Sequence, residues 1–266
     1  MLILLPPSEG KTAPRRGRPL DLAALSFPAL TEARSEVLDA LVSLCTTGGA
    51  DAAGDAGKAA EVLGLGKTQA DEVARNAELR TAPTARADQV YSGVLYEALD
   101  LSRLDAAAKR RASGRLAVTS ALFGLVRPGD RIPAYRLSGT VSLPGIGPVA
   151  TYWNSRLGEA VQEAAGRGLL VDLRSSTYAS FWRPDPDIAR RVVTARVLHE
   201  VDGTRKVVSH FNKATKGRLV RSLLEDGGSP ATPARFAEQL RDLGWHVELG
   251  PAGRQGTQLD VVVSEL

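Results

Sequence analysis

The sequence predicts a single α/β domain, of the α+β mixed-sheet kind, spanning residues 1–266. Segments with strand and helix patterns alternate along the chain, with no internal repeat and no linker-like change in composition. Two short, continuous apolar runs, at 1–5 and 169–173, are typical of parallel strands buried on both faces. A hydrophobic fraction of 43% and a charged fraction of 24% are ordinary for globular proteins and exclude a disordered chain or a fibre.

The first half of the chain is predicted to be mostly helical after an opening strand. The segment 1–7 has no basic residue before its apolar run, so it predicts a buried strand rather than a signal peptide. Apolar residues at helical spacing predict a helix over 28–44, whereas the small and polar segment 46–57 predicts a loop. The remaining helical patterns are two short helices over 58–78 and further helices over 89–113, broken near Ser102.

Strands and helices alternate more regularly in the second half. Asp202-Gly203 between two apolar runs is a strong hairpin signal. Thr232, Pro233 and Gly244 are the N-cap, first-turn and stop signals of a helix. The predicted strands are 116–119, 169–173, 192–201, 206–211, 245–249 and 259–263; the predicted helices are 153–166, 213–224 and 233–243.

The composition excludes several classes of function. The single cysteine, Cys45, and three dispersed histidines predict no disulfide, no metal centre and no cofactor, and they favour a cytoplasmic location. No run approaches the ~18 apolar residues that a membrane span needs, so no membrane partner is expected. Of the 34 cationic residues, 27 are arginines, which suit phosphate or carboxylate ligands. The Ala- and Gly-rich composition indicates high-GC coding, which would also raise the arginine content, and both explanations stay open.

The first motif is Gly10-Lys11-Thr12, which follows the opening strand. It resembles the end of a nucleotide-binding P-loop, but Leu5 stands where the first glycine should be. Pro6 and Pro7 also remove backbone N–H groups that a phosphate cradle would need. A strand end that carries Glu9 and Lys11 is nevertheless a place where α/β folds build sites. The alternative is a solvated loop lysine.

The second motif, within 56–80, resembles a helix-hairpin-helix. Gly64 and Gly66 permit a tight turn between two helices. The first N–H groups of the following helix, near Thr68, can then hold a phosphate oxygen, and Lys67 adds a positive charge. Such a contact reads the nucleic-acid backbone and carries little sequence information. The alternative is an ordinary helical hairpin.

Two further motifs lie in Pro-stiffened or strand-end backbone. Arg127, Tyr135 and Arg136 lie in the Pro- and Gly-rich connection 127–148, where a stiff backbone can preorganise a phosphate site. Alternatively, its prolines only shape the connection. Arg174 follows the apolar run at 169–173, and the serines and threonine after it are explained equally well as caps of the next helix.

The last motif lies at the start of the predicted helix 213–224. Lys213 and Lys216 are three residues apart and therefore neighbours on one helix face. The helix dipole disfavours cations at this end, which suggests an external anion. A solvated face is the alternative.

In order along the chain, these motifs resemble those of the YaaA family (DUF328), which is associated with peroxide stress. The resemblance implies a family-specific α/β fold with an inserted helix-hairpin-helix, a positively charged cleft, and binding of double-stranded or distorted DNA through its backbone. The matching stretches are 10–12, 90–93, 122–128, 133–137, 152–153, 172–175 and 211–218. Together, the motifs and the resemblance predict these DNA-binding residues: Gly64, Gly66, Lys67, Thr68, Lys11, Arg127, Tyr135, Arg136, Arg174, Lys213, Lys216 and Arg218.

Two functions of different classes therefore stay open. One is a DNA-binding protein of the oxidative stress response. The other is an enzyme that acts on a nucleotide, nucleobase or other small anionic metabolite in a pocket around Lys11, Tyr135, Arg136 and Lys213. The sequence assigns no catalytic residue and leaves enzymatic activity undecided.

Overall fold

An eight-stranded sheet runs through the protein in a computed structural model that describes residues 1–46, 52–69, 71–201, 204–207 and 209–264. Its strand order is β11-β12-β9-β8-β1-β3-β4, and β10 pairs with β9. The strands are β1 (Leu2–Leu5), β2 (Ala85–Arg86), β3 (Leu116–Ser120), β4 (Gly124–Val126), β5 (Arg131–Ile132), β6 (Ser142–Leu143), β7 (Gly147–Pro148), β8 (Leu170–Asp172), β9 (Val192–Val201), β10 (Thr204–Lys206), β11 (Val247–Gly253) and β12 (Gly256–Val263).

Helices pack around this sheet. They are α1 (Thr31–Thr46), α2 (Ala52–Val62), α3 (Asp71–Ala77), α4 (Ala87–Val90), α5 (Val94–Leu99), α6 (Ala106–Arg115), α7 (Val149–Asn154), α8 (Leu157–Ala165), α9 (Ser176–Ala179), α10 (Pro186–Ala189), α11 (Ser209–Asp226) and α12 (Pro233–Asp242). Short 3-10 turns occupy Leu22–Ala24, Pro28–Leu30, Lys67–Gln69 and Leu101–Arg103.

The centre of the sheet is parallel, as the apolar runs predict. β1 pairs in parallel with β3 on one side and β8 on the other, and β9 and β12 continue the parallel set. Antiparallel partners close both edges, β4 beside β3 and β11 beside β12. All four residues of β1 are buried because helices cover both faces of a parallel sheet. The predicted mixed α/β class is confirmed.

Several element boundaries differ from the sequence predictions. α2 begins at Ala52, inside the segment 46–57 that was predicted as a loop; residues 47–51 lie outside the described part of the chain. The predicted strand 206–211 was wrong beyond Lys206, because α11 already begins at Ser209. Short apolar runs fit a strand or a buried helix equally well, so periodicity could not decide between them. The antiparallel pairing of β9 and β10 is the predicted hairpin, although Asp202-Gly203 itself lies outside the described residues.

A glycine fixes how α11 packs beside the candidate site. A Cβ on Gly217 would lie 2.3 Å from the carbonyl oxygen of Leu95 and 2.8 Å from the Cβ of Ala98. The close approach of α11 to α5 therefore requires glycine here, since any side chain would overlap the neighbouring backbone. This contact holds the first turns of α11 against the strand ends that carry the site.

Candidate functional site

A cleft with a volume of about 710 Å³ opens where β1 and β8 end. Its walls are the turn after β1, the start of α5, the turn after β8, part of β9 and the first turns of α11. The carboxyl ends of parallel strands are where open α/β sheets bind their ligands, and a cavity of this size accommodates a small molecule or one nucleotide unit. Apolar side chains such as Val94, Val197 and Val207 line one part of the cleft, and lysines and serines line another.

Lys11 lies at the edge of this cleft, next to the cleft-lining residue Gly10. Its Nζ donates to the Ser8 carbonyl oxygen at 2.7 Å and to the Glu9 carbonyl oxygen at 3.4 Å. The same nitrogen lies 4.1 Å from the centre of the Tyr135 ring. Burial lowers the pKa of the Lys11 amine to about 8, and the Glu9 carboxylate opposes this shift.

Lys11 rests on a buried network of hydroxyl groups. The Tyr135 hydroxyl lies 3.1 Å from the Tyr91 hydroxyl and 2.8 Å from the Ser120 Oγ, which accepts the backbone N–H of Phe123 at 2.9 Å. Burial raises the pKa of Tyr91 to about 12 and raises that of Tyr135 well above its usual value. These phenols therefore stay neutral and hold the ring face beneath the amine.

The side chain of Arg136, in the connection 127–148, is bonded to Glu9. One Arg136 nitrogen, Nη1, donates to the Glu9 carbonyl oxygen at 3.2 Å and lies 3.2 Å from the Glu9 Oε2. The Tyr178 hydroxyl donates to the Glu9 Oε1 at 3.4 Å. Asn76 clamps the Arg136 backbone, accepting its N–H at 2.9 Å and donating to its carbonyl oxygen at 2.8 Å. The carboxylate of Glu9 thus neutralises Arg136. Because Asn76 belongs to α3, its bonds to Arg136 connect α3 to the cleft-lining residue Glu9.

The lysines of α11 form the most positive wall of the cleft. Lys216 donates from Nζ to the carbonyl oxygen of Leu173 at 2.9 Å, and burial lowers the pKa of its amine. Lys213 lines the cleft and is exposed; within the described part of the chain its side chain makes no hydrogen bond or ion pair. Arg218 is also exposed, but five residues beyond Lys213 it lies about 140° around the helix axis and does not line the cleft.

The guanidinium groups of two predicted binding arginines are bonded to other groups of the protein, although Arg174 also lines the cleft. Arg174 is buried and makes a bidentate pair with Asp172, with donor–acceptor distances of 2.9 and 2.7 Å. The rest of its guanidinium donates to the carbonyl oxygens of Tyr178 and Trp182. Arg127 donates to the carbonyl oxygens of Gly114 and Leu116, next to the start of β3. It therefore lies at the amino ends of the parallel strands, whereas Lys11 follows the carboxyl end of β1.

Within 56–80, the segment of the predicted helical hairpin, the structure has the end of α2, a 3-10 turn and α3. Gly64 adopts a left-handed φ of 64° just after α2, and the 3-10 turn Lys67–Gln69 leads toward α3. The Gly66 N–H donates to the Gln69 Oε1 at 3.1 Å, and Thr68 is exposed. Leu63 is buried in the core and holds the hairpin against it. The assignment of this element as a DNA-binding helix-hairpin-helix stays a prediction.

The sequence motifs did not reveal the buried network of hydroxyl groups beneath Lys11. Tyr91 and Ser120 complete the hydroxyl network, and Asn76 positions Arg136, yet none of the three was chosen as a site residue. Tyr91 lies in a stretch that carried the family resemblance, which is the one signal that could have found it. Ser120 and Asn76 are ordinary polar residues in the sequence, and only the tertiary contacts give them a role.

The described residues contain no group of three or more His, Cys, Asp or Glu side chains that could hold a metal ion. Among the helices in that part of the chain, none is both long and apolar enough to cross a membrane.

Comparisons with known proteins identify a matching family model and several similar proteins. The sequence model of the family described as "Peroxide stress protein YaaA" matches residues 1–247. A UPF0246 protein of Streptomyces coelicolor is 54% identical over 268 aligned positions, which cover 100% of each chain. A UPF0246 protein of Corynebacterium efficiens is 44% identical over 98% of this chain and 100% of its own length. A UPF0246 protein of Ruegeria sp. is 32% identical over 52% of this chain and 57% of its own.

Proposed function

We propose that this chain, which belongs to the peroxide stress protein YaaA family, is a DNA-binding protein of the peroxide stress response. It would hold the phosphate backbone in the basic cleft and on the helical hairpin. The observation that carries the proposal is the exposed charge of Lys213 in the cleft lining, which has no ion pair among the described residues and is therefore available to an external anion.

The distribution of paired and unpaired cations supports this choice of surface. Arg196 at the cleft is neutralised by Asp260, and Arg205 of β10 is neutralised by Glu200 and Glu248. Lys206, which directly precedes the cleft residue Val207, is exposed, and its amine has no hydrogen bond or ion pair among the described residues. The free positive charge beside the cleft is therefore supplied by lysines, which bind phosphate as compact point charges.

The helix that follows the hairpin turn contacts residues beside the cleft, which supports a binding surface that includes both. α3 begins just beyond the hairpin turn and carries Asn76, which holds Arg136 beside Glu9. Glu72 in the first turn of α3 also raises the pKa of Lys11 electrostatically, so the helix and the amine are near neighbours.

We expect fluorescence anisotropy to detect micromolar or tighter binding of a labelled duplex, and Lys67→Ala to weaken it severalfold because one phosphate contact is lost. Duplex, bulged and single-stranded oligonucleotides would be compared at one salt concentration. Lys109→Ala is the matched control, since Lys109 lines a different pocket beside Arg86 and Pro128. Equal affinities of the Lys67 and Lys109 variants would remove the hairpin from the binding surface.

One observation favours a second candidate function, an enzyme that acts on a nucleotide, nucleobase or other small anionic metabolite. The cleft holds Tyr178, Ser175 and Lys216 around a volume suited to a small molecule, and the amine of Lys11 at its edge has a lowered pKa. Calorimetric titration with a nucleoside monophosphate separates the two functions. Saturable micromolar binding without affinity for duplex would favour the enzyme, and heats of dilution alone would count against it.

A further inference from the structure

The amine of Lys11 is placed unlike that of an ordinary buried lysine. Within the described part of the chain it forms no ion pair, because the nearby Glu9 carboxylate is held by Arg136 and Tyr178 instead. Its polar neighbours are the carbonyl oxygens of Ser8 and Glu9, and the face of the Tyr135 ring lies 4.1 Å away. The site therefore provides two carbonyl acceptors and an aromatic ring face for the amine, and the carboxylates of Glu9 and Glu72 act on it without pairing with it directly.

This geometry accommodates the neutral as well as the protonated amine, since the carbonyl oxygens accept N–H bonds from both forms and the ring face attracts the ammonium form. A neutral amine has two N–H bonds, and the two carbonyl oxygens accept both, which leaves the nitrogen lone pair uncommitted. With a pKa of about 8, roughly a quarter of the molecules carry a neutral amine at pH about 7.5, far more than for an ordinary lysine. A lysine amine that is neutral near physiological pH is a nucleophile toward carbonyl compounds.

We propose that the Nζ of Lys11 forms an imine with the aldehyde of a ring-opened 2-deoxyribose phosphate bound in the cleft. The inference rests on the proposed function and names the chemical class of ligand for the same site. Lys213 and Lys216 line the cleft and offer positive charge for the phosphate, and Glu9 and Ser175 offer polar groups for the sugar hydroxyls. Such an aldehyde occurs at an abasic site in DNA, where a base has been lost, and in the free sugar phosphate.

The step is balanced without any redox reagent. The lone pair of the neutral Nζ attacks the aldehyde carbon, and the C–O π pair moves onto oxygen, which takes up the proton that nitrogen releases. The resulting carbinolamine loses its hydroxyl group, with one proton, as water while the nitrogen lone pair forms the C=N bond. The sum is amine plus aldehyde giving imine plus water, and hydrolysis reverses it.

Borohydride trapping tests the proposal, because it reduces an imine to a stable secondary amine. One arm uses a duplex that carries a single abasic site, and the other uses free 2-deoxyribose 5-phosphate. Peptide mapping by mass spectrometry then locates the modified residue in the unaltered protein, so the result does not depend on whether a variant folds. We expect the label on Lys11 in at least one arm, and the arm that labels identifies the source of the aldehyde.

Lys11→Arg, which keeps the positive charge, should trap at least tenfold less than the unaltered protein, and Lys109→Ala, in a different pocket, should still be labelled at Lys11. Trapping should accelerate as the pH rises from 6.5 to 8.5, because the amine loses its proton in this range; the titratable and charged groups that act on it are Glu9, Arg136, Glu72, Tyr91 and Tyr135. A label on other lysines, equal trapping by Lys11→Arg, or no label in either arm would overturn the proposal.

The failure of this inference is distinguishable from failure of the proposed function. Affinity for an intact duplex, which contains no aldehyde, is measured separately by anisotropy. Duplex binding with no trapping in either arm would contradict the imine proposal and leave the DNA-binding proposal standing. Trapping of the free sugar phosphate without duplex binding would contradict the DNA-binding proposal and support the imine proposal.

Discussion

Replacing Arg174 with alanine is expected to lower the free energy of unfolding by about 3–5 kcal/mol, because the change leaves the buried carboxylate of Asp172 without its partner. The side chain of Arg174 is 1% exposed and that of Asp172 is 9% exposed, so solvent cannot replace the lost bonds. The carbonyl oxygens of Tyr178 and Trp182 would lose their donors as well. Arg174→Lys should also destabilise, since an ammonium group cannot make the bidentate pair.

Urea denaturation measures this effect. Lys213→Ala is the control, an exposed cation of the same cleft whose removal should change the free energy of unfolding by no more than about 0.5 kcal/mol. If Arg174→Ala instead left the denaturation midpoint unchanged and weakened DNA binding, Arg174 would be a phosphate ligand and the structural role assigned to it would be wrong.

Reversing the charge of Lys213 with glutamate should weaken duplex binding by about tenfold, or about 1.4 kcal/mol, at moderate salt. The variant removes one phosphate contact and places a negative charge at the mouth of the cleft, where DNA would be repelled. The fold should tolerate the change, because the side chain is exposed and has no internal partner among the described residues.

Arg218→Glu is a closely matched control, since it makes the same change in net charge on the same helix. Arg218 lies outside the cleft lining, so its reversal should weaken binding much less than that of Lys213. Equal losses for the two variants would mean that DNA responds only to the total charge of the protein. That result would remove the cleft as the binding surface.

Much of the fold could be predicted because its signals are local. The continuous apolar run of β1 reports its burial between β3 and β8. Thr232 caps α12 as its position before Pro233 predicts, its side chain accepting the N–H of Arg235 at 3.3 Å. The start of α11 was not predictable in this way, since its register against α5 depends on a tertiary contact at Gly217.

The site was harder to predict because the role of an arginine depends on its partners. Arg136 and Arg174 have similar contexts in the sequence, but Arg136 pairs with Glu9, whereas Arg174, which lines the cleft, is held by Asp172 and two carbonyl oxygens. Strand-end placement predicted a site near Lys11, and the structure has Lys11 next to the cleft-lining residue Gly10. That placement could not show that Tyr135, which was predicted to contact DNA, is buried with its ring face against the Lys11 amine.

The measurement that tests the central claim most directly is the salt dependence of duplex affinity for the unaltered protein and for Lys213→Ala. Because each neutralised phosphate contributes about 0.9 to the slope of log affinity against log salt, the unaltered protein should show a slope of several units. The variant should lose about one unit. A shallow slope that the variant leaves unchanged would contradict DNA binding in the cleft and would favour a small anionic ligand there.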